Sequence, residues 1–293
     1  MTATVRSDVE TADPVVPGWP APDPASPGTV DRLSRLLPPA AVVALAVAVV
    51  LRFVCRSQLW LDEAQGVAIA RAPLHTLLAS LRIDGSPPVY YVLLHGWMAV
   101  FGTGTWAVRA LSGVFSVATL PLAWLLARRL VGRSEAVATV LLLASSPFAV
   151  HFATEARMYS LVMALTAVGG LALLRVLDRP GWWPVAGIGV CSGLLALTHY
   201  WSFYLLAVLG IGLLLAYWRG ERARRPGYRR ALIGLLSGGL LFLPWLPIFF
   251  FQSLHTGAPW GVPTSVGRIV DTVLAWAGSG GLAGRTAGVL LLG

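Results

Sequence analysis

The sequence predicts an all-α fold: a polytopic bundle of transmembrane helices, with juxtamembrane helices in a long first outer loop. Three observations predict it. Of 293 residues, 56% are hydrophobic and 12% charged, against about 25% charged in soluble domains. The mean hydropathy is +0.72. Apolar runs near 20 residues recur, the length that crosses a hydrocarbon core. A transmembrane barrel would show short alternating segments instead.

The elements follow in order. Residues 1–35 carry Pro14, Pro17, Pro20, Pro22, Pro24 and Pro27 among small and acidic residues. That composition predicts a disordered cytoplasmic tail, and no positive region with a short apolar stretch opens the chain as a cleavable signal. Residues 36–293 form one membrane module. Candidate helices lie near 37–54, 87–102, 106–127, 134–152, 158–177, 184–199, 201–218, 231–251 and 268–292. The last run stops at Gly293 without a flank, so a truncated C-terminus is expected. No internal repeat is visible.

Charge orients these helices. The net charge is +9, and every basic residue is arginine. Six arginines fall in 219–230, which predicts a cytoplasmic loop. Arg128, Arg129 and Arg133 mark a second such loop, Arg175 and Arg179 a third, and Arg32 and Arg35 place the N-terminus on the same side. Nucleic acid is not the expected partner, since no soluble basic domain or nucleic-acid motif accompanies the charge. Parity then requires an even number of crossings before residue 128, yet three runs lie there. Residues 87–102 are the shortest, about 24 Å of helix against a core of about 30 Å. They open with Pro87-Pro88 and contain His95, so they are read as a half-inserted helix on the outer side. The first outer loop then runs from 55 to 105, and the turns at 153–157 and 199–201 face the same side. Cys55 and Cys191 lie in or beside apolar spans and read as small hydrophobes rather than a disulfide.

Chemistry-bearing residues concentrate in those outer segments. Only eight acids occur after residue 40, and two are adjacent, Asp62 and Glu63. Two readings fit Asp62. It caps the following helix, with Gln65 closing a capping box, or it is a general base in a partly dry pocket. One carboxylate suffices for a cap, which leaves Glu63 over. Asp84 and Tyr90 flank Pro87-Pro88; they read as a solvated helix start or as the rim of the same cavity. Glu155 and Tyr159, four apart, are expected on one helix face. Arg157 between them is either a surface ion-pair partner or a bidentate phosphate ligand. His199, Tyr200 and Trp201 form a turn that reads as an interfacial aromatic belt or as cavity lining. No His/Cys cluster has metal-ligand spacing, and no P-loop or dinucleotide glycine pattern is present.

Taken in series, these residues resemble the GT-C glycosyltransferases of family 39, the group of the dolichyl-phosphate-mannose protein mannosyltransferases and the bacterial aminoarabinose transferases. The resemblance rests on Leu61-Asp62-Glu63-Ala64, on the run from Asp84 through Pro87-Pro88 to Trp97, and on Phe101-Gly102. It continues through Arg109-Ala110-Leu111-Ser112, Glu155-Ala156-Arg157-Met158-Tyr159-Ser160 and Thr198-His199-Tyr200. It covers about residues 52–251. It implies a GT-C fold and a polyprenyl-phosphate-linked sugar, mannose-like, as donor. It also implies an extracytoplasmic acceptor hydroxyl on a protein or a cell-envelope glycan, with inversion at the anomeric carbon. By motif position Asp62 is the base, with Glu63 beside it, and Arg157 lies near the donor phosphate. Asp84, Tyr90, Glu155, Tyr159, His199 and Tyr200 line the substrate cavity. No cofactor is implied, and a divalent metal is optional. Ser86 stands where some relatives have a basic residue before the Pro-Pro pair, so phosphate contacts are expected to differ. The family's soluble outer domain and later spans are not in the sequence.

The competing class is a transporter or lipid-linked-sugar flippase that uses carboxylate–arginine pairs for coupling. Such proteins place these groups near the midplane, between broken helices of paired repeats. Here the acids fall in outer loops.

Overall fold

The computed structural model describes residues 27–256 apart from 56 and 180, together with 265 and 267. Of the tail expected as disordered over 1–35, residues 1–26 lie outside the described residues, as does the apolar run 268–292, whereas residues 27–35 are helical, against that expectation. Helix α1 spans Pro27–Leu51, starting earlier than the expected 37. Val30, Leu33, Leu36 and Leu37 extend the helical apolar spacing backward.

Three short helices follow: α2 (Leu61–Arg71), α3 (Leu74–Asp84) and α4 (Val89–Phe101). Their boundaries are set by backbone chemistry. Pro73 separates α2 from α3. Gly85, at φ +88°, closes α3 in the left-handed region. Pro87 and Pro88 precede α4, which has 13 residues and is therefore about 20 Å long, too short to cross the core.

Helix α5 (Thr105–Leu130) is the longest among the described residues, at 26. The run expected as one span over 134–152 is instead broken into α6 (Arg133–Ser145) and α7 (Pro147–Ala153), bent by 58°. Pro147 cannot continue the hydrogen-bond ladder and pushes Ser146 to extended backbone. The Ser146 hydroxyl then caps α7 by accepting from Ala149 N at 3.3 Å. Carbonyls stranded at the end of α6 are satisfied by Arg52, which donates to Leu143 O and Ala144 O, both at 3.0 Å. Arg52 is 1% exposed. Its remaining contacts, to Ala48 O and Ser116 Oγ, tie α1 and α5 to the break.

The second half comprises α8 (Tyr159–Asp178), α9 (Trp182–Thr198), α10 (Ser202–Arg219), α11 (Arg225–Phe242) and α12 (Leu246–His255). As expected, α9 and α10 are joined only by the turn His199–Trp201. The most extensive packing is between α9 and α11. Gly189 and Gly193 on one helix face Gly234 and Gly238 on the other. A Cβ at Gly238 would sit 2.6 Å from Gly193 N and 2.7 Å from Gly189 O. Small residues four apart permit this approach of backbones in a bilayer.

Among the described residues, four segments are long and apolar enough to cross a membrane: α5, α8, α10 and the stretch Arg222–His255. The bent pair α6–α7 makes a fifth. The chain is an all-helical polytopic membrane protein. Its three short helices α2–α4 gather at the end of the bundle where α5 and α8 begin. A core of Val67, Leu94, Met98, Val108, Leu111 and Met158 fixes them there.

Candidate active site

The site is built around the turn 154–158, which connects α7 to α8. This turn departs from expectation: α8 starts only at Tyr159, so Glu155 and Tyr159 do not share a helix face. Instead the backbone folds over so that Arg157 N donates to Glu155 O at 2.8 Å. Two buried side chains hold it from behind. Ser112 on α5 donates to Arg157 O at 2.9 Å, and Tyr90 on α4 bonds Ser112 at 3.1 Å. Glu63 on α2 accepts from Ala156 N at 2.7 Å.

Glu63 is thus placed differently from its expected catalytic position. It is fully buried, and both carboxylate oxygens are occupied. Arg109 donates to Oε1 from Nε at 2.7 Å and to Oε2 from Nη2. Trp60 N also donates to Oε2, at 3.3 Å. This reverses the expected cap: Trp60 is the N-cap residue and Glu63 the N3 acceptor, so Asp62 is not engaged in capping. Arg109 also donates to Ser57 O and Gln58 O and contacts Cys55 Sγ, pinning the loop before α2. Burial raises the Glu63 pKa. Arg109 and the amides of Ala156 and Trp60 outweigh that and hold it below the ordinary carboxylate value.

Freed from capping, Asp62 opens on a polar cleft of about 180 Å³, lined by Asp62, Gln65, Gly66, Asp84, Ser86, Tyr91 and Arg157. Asp62 Oδ2 and Arg157 Nη2 are 3.7 Å apart, with the carboxylate 44% and the guanidinium 19% exposed. That separation is a charge contact without a direct hydrogen bond. Arg157 Nε is buried and has no hydrogen-bond partner. Burial favours the neutral guanidine, but Tyr91, Tyr159 and Asp62 outweigh it and raise the Arg157 pKa above its usual value. Arg157 therefore brings a positive charge to the cleft, while its Nε is an unpaired donor buried beneath it.

Asp84 accepts from Gln65 Nε2 across the cleft, and Tyr91 OH donates to Ser86 Oγ at 3.2 Å. Tyr159 and His199, with ring centroids 5.7 Å apart, lie near Arg157 but are not among the residues that line the cleft. Burial and the neighbouring guanidinium lower the His199 pKa. His199 Nδ1 accepts from Trp201 N at 3.1 Å, so in the neutral ring Nε2 carries the proton.

Of the six residues expected to line the cavity only Asp84 does so; Glu155 and Tyr200 have partners of their own. Glu155 pairs with His151 at 3.2 Å. Its pKa is raised by burial, which His151 only partly offsets. Tyr200 donates to Gln252 Oε1 and accepts from Trp245 Nε1 at 2.9 Å. Gln252 in turn donates to Leu81 O and Ser86 O, so Tyr200 supports the 84–86 segment through α12. Tyr90 lies behind the cleft, its hydroxyl kept neutral by burial. Sequence reasoning did not assign Gln65, Tyr91, Arg109 or Ser112 to the site. The one available signal was Arg109, an arginine one turn inside an apolar run. Among the described residues, no three His, Cys, Asp or Glu side chains cluster closely enough to hold a metal.

Fold and site together define a polytopic membrane protein with a carboxylate–guanidinium cleft at one end of its helices. The chain belongs to the dolichyl-phosphate-mannose-protein mannosyltransferase family, whose sequence model matches residues 85–248, more than half of its length. It is accordingly a membrane glycosyltransferase of the GT-C type. The matched region contains Arg157, Tyr91 and His199, and begins after Asp62 and Glu63. No curated protein and no solved structure matches the chain.

Proposed function

We propose that the protein transfers one sugar, mannose-like, from a polyprenyl-phosphate carrier to an acceptor hydroxyl outside the cytoplasm, with inversion. The observation that supports this reading is the Asp62–Arg157 pair in an open polar cleft, held by a charge contact without a direct hydrogen bond. A fixed, partly buried guanidinium suits a phosphate. The 3.7 Å contact to Asp62 is loose enough to be exchanged for one. Entry of the donor draws Arg157 onto the phosphate and releases the Asp62 carboxylate. That carboxylate takes the proton of the acceptor hydroxyl as its oxygen attacks the anomeric carbon. The bond between the anomeric carbon and the phosphate oxygen breaks, and polyprenyl phosphate leaves as an anion stabilised by Arg157. Tyr159 and Tyr91 flank the guanidinium, and His199 presents a neutral ring nearby. Glu63 acts as a positioning residue, holding α2 and the Arg157 turn in register. The acceptor belongs to a protein or a cell-envelope glycan.

The test uses the full chain reconstituted in vesicles, with radiolabelled polyprenyl-phosphate mannose and an envelope fraction as acceptor source. Asp62→Asn is expected to reduce sugar transfer by about 100-fold or more, the scale of a lost general base, while donor binding is retained. Arg157→Gln is expected to weaken donor binding as well. Transfer at the wild-type rate by Asp62→Asn would refute the assignment of the base. Movement of the lipid-linked sugar across the bilayer without transfer would favour the flippase reading.

A further inference from the structure

Away from this site, at the other end of the bundle, the structure holds a second polar concavity. It has a volume of about 440 Å³ and is lined by Arg129, Arg175, Asp178, Arg179 and Pro184. Three helix ends meet there: the last turns of α5 and α8 and the first turn of α9. Helix α8 runs from Tyr159 beside the catalytic cleft to Asp178 beside this one. Its 20 residues span about 30 Å, the thickness of a hydrocarbon core. The second cleft therefore sits at the opposite membrane interface. Trp182 and Trp183, 73% and 90% exposed at the start of α9, mark the same level.

We propose that this cleft binds the phosphate of an anionic phospholipid headgroup. Arginines at helix ends have an ordinary role, complementing the helix dipole and fixing topology. The arrangement here exceeds that role in two respects. First, none of Arg129, Arg175 and Arg179 forms an ion pair or a side-chain hydrogen bond among the described residues. The adjacent Arg128, by contrast, lies over the Trp124 ring at 5.1 Å. Second, Arg129 comes from α5, Arg175 from α8 and Arg179 from the extended residue that follows α8, and the three converge on one concave space with a single carboxylate, Asp178, leaving a net charge of +2 from three cations and one anion. Guanidinium forks with free donors, set between helices at headgroup depth, are a basis for recognising a lipid phosphate. The occupant is assigned to the bilayer because the cleft opens at the interface, where such headgroups are concentrated.

The experiment titrates purified full-length protein in zwitterionic detergent with phosphatidylglycerol and follows retained lipid by native mass spectrometry. Each arginine near the membrane surface is worth about 1 kcal/mol, or about fivefold in affinity. The triple variant Arg129→Gln/Arg175→Gln/Arg179→Gln should therefore bind about 100-fold more weakly. A control variant, Arg222→Gln/Arg224→Gln/Arg229→Gln, removes the same charge from the neighbouring loop and should retain binding. Equal loss in both variants, or in neither, overturns the proposal. Should the triple variant fail to fold, the three single variants decide: about fivefold weakening in each supports the site, and no change in any overturns it. Phosphatidylcholine should show no difference between wild type and variants. Millimolar inorganic phosphate that displaces the lipid completely would reassign the site to a soluble anion.

Discussion

At the scale of single residues, adjacent carboxylates have opposite fates. Asp62 faces the cleft, whereas one position later Glu63 is sealed against Arg109. Helical geometry turns successive side chains by about 100°, so α2 can present one acid to substrate only by directing the other inward. Burying Glu63 is tolerable because a guanidinium and two amides satisfy it, and losing one partner of such a pair costs about 3–5 kcal/mol. Glu63→Gln should accordingly lower the detergent-solubilised melting temperature by several degrees and reduce transfer indirectly, by loosening the turn that carries Arg157. The pH dependence follows from the sign of the shift. The folded Glu63 pKa lies below its unfolded value. The unfolded chain therefore takes up the proton first as pH falls. Stability from this group is complete above about pH 5 and declines as pH drops through the ordinary carboxylate value of about 4.3 and on through the lower folded one. Melting curves between pH 7 and pH 3 should show this decline in the wild type and a shallower one in Glu63→Gln. A wild-type decline no steeper than that of the variant would mean that Glu63 is not held charged. The pairing of Asp62 with Arg157 could be read from sequence as two charges in loops of one side. The roles of Glu63 and Arg109 could not, because they depend on a contact 46 positions apart between the first turns of α2 and α5.

At the scale of elements, long apolar runs were legible and their interruptions only partly so. The boundaries of α3 and α4 follow from Gly85 and Pro87-Pro88. The break at Ser145-Ser146-Pro147 carries a breaker signal in the sequence that the apolar runs on both sides outweigh, and Arg52, whose guanidinium makes the break tolerable, lies about 90 positions away in sequence. The α9–α11 contact is a second case, since its glycines have a role only when the two helices are set face to face. Its consequence can be tested directly. A methyl group at Gly238 would meet backbone atoms of Gly189 and Gly193 at well under 3 Å, and backbone atoms cannot move aside as a side chain can. Overpacking of this kind costs about 1–3 kcal/mol, occasionally more. Gly238→Ala should therefore reduce the melting temperature and the yield of folded protein, whereas Gly239→Ala, with open space at the same height, should leave both unchanged. Equal behaviour of the two variants would show that α9 and α11 do not pack this closely.

At the scale of the whole molecule, two features have one explanation. The polar cleft with its acids lies at one end of α8, and the unpaired arginines lie at the other. Arginine-rich ends are retained in the cytoplasm as a rule; on that rule we propose that the polar cleft faces outside, which requires an even number of crossings between the N-terminus and Arg128. The length of helix α4 supports that count. At 13 residues it would leave roughly a third of a 30 Å core unspanned, and it packs instead on α2 and α5. It follows that Thr103, just after α4, lies on the same side as Asp62, and that Glu221, in the arginine loop, lies on the other. In a background with Cys55→Ala and Cys191→Ala, a cysteine at Thr103 should react with an impermeant maleimide applied to intact cells. A cysteine at Glu221 should react only after the membrane is opened. Protection at 103 with reactivity at 221 would invert the protein. Reactivity of both from outside would mean that the number of crossings between α4 and the arginine loop is even, and the assignment of α4 to the membrane surface would then fail along with the orientation drawn from it.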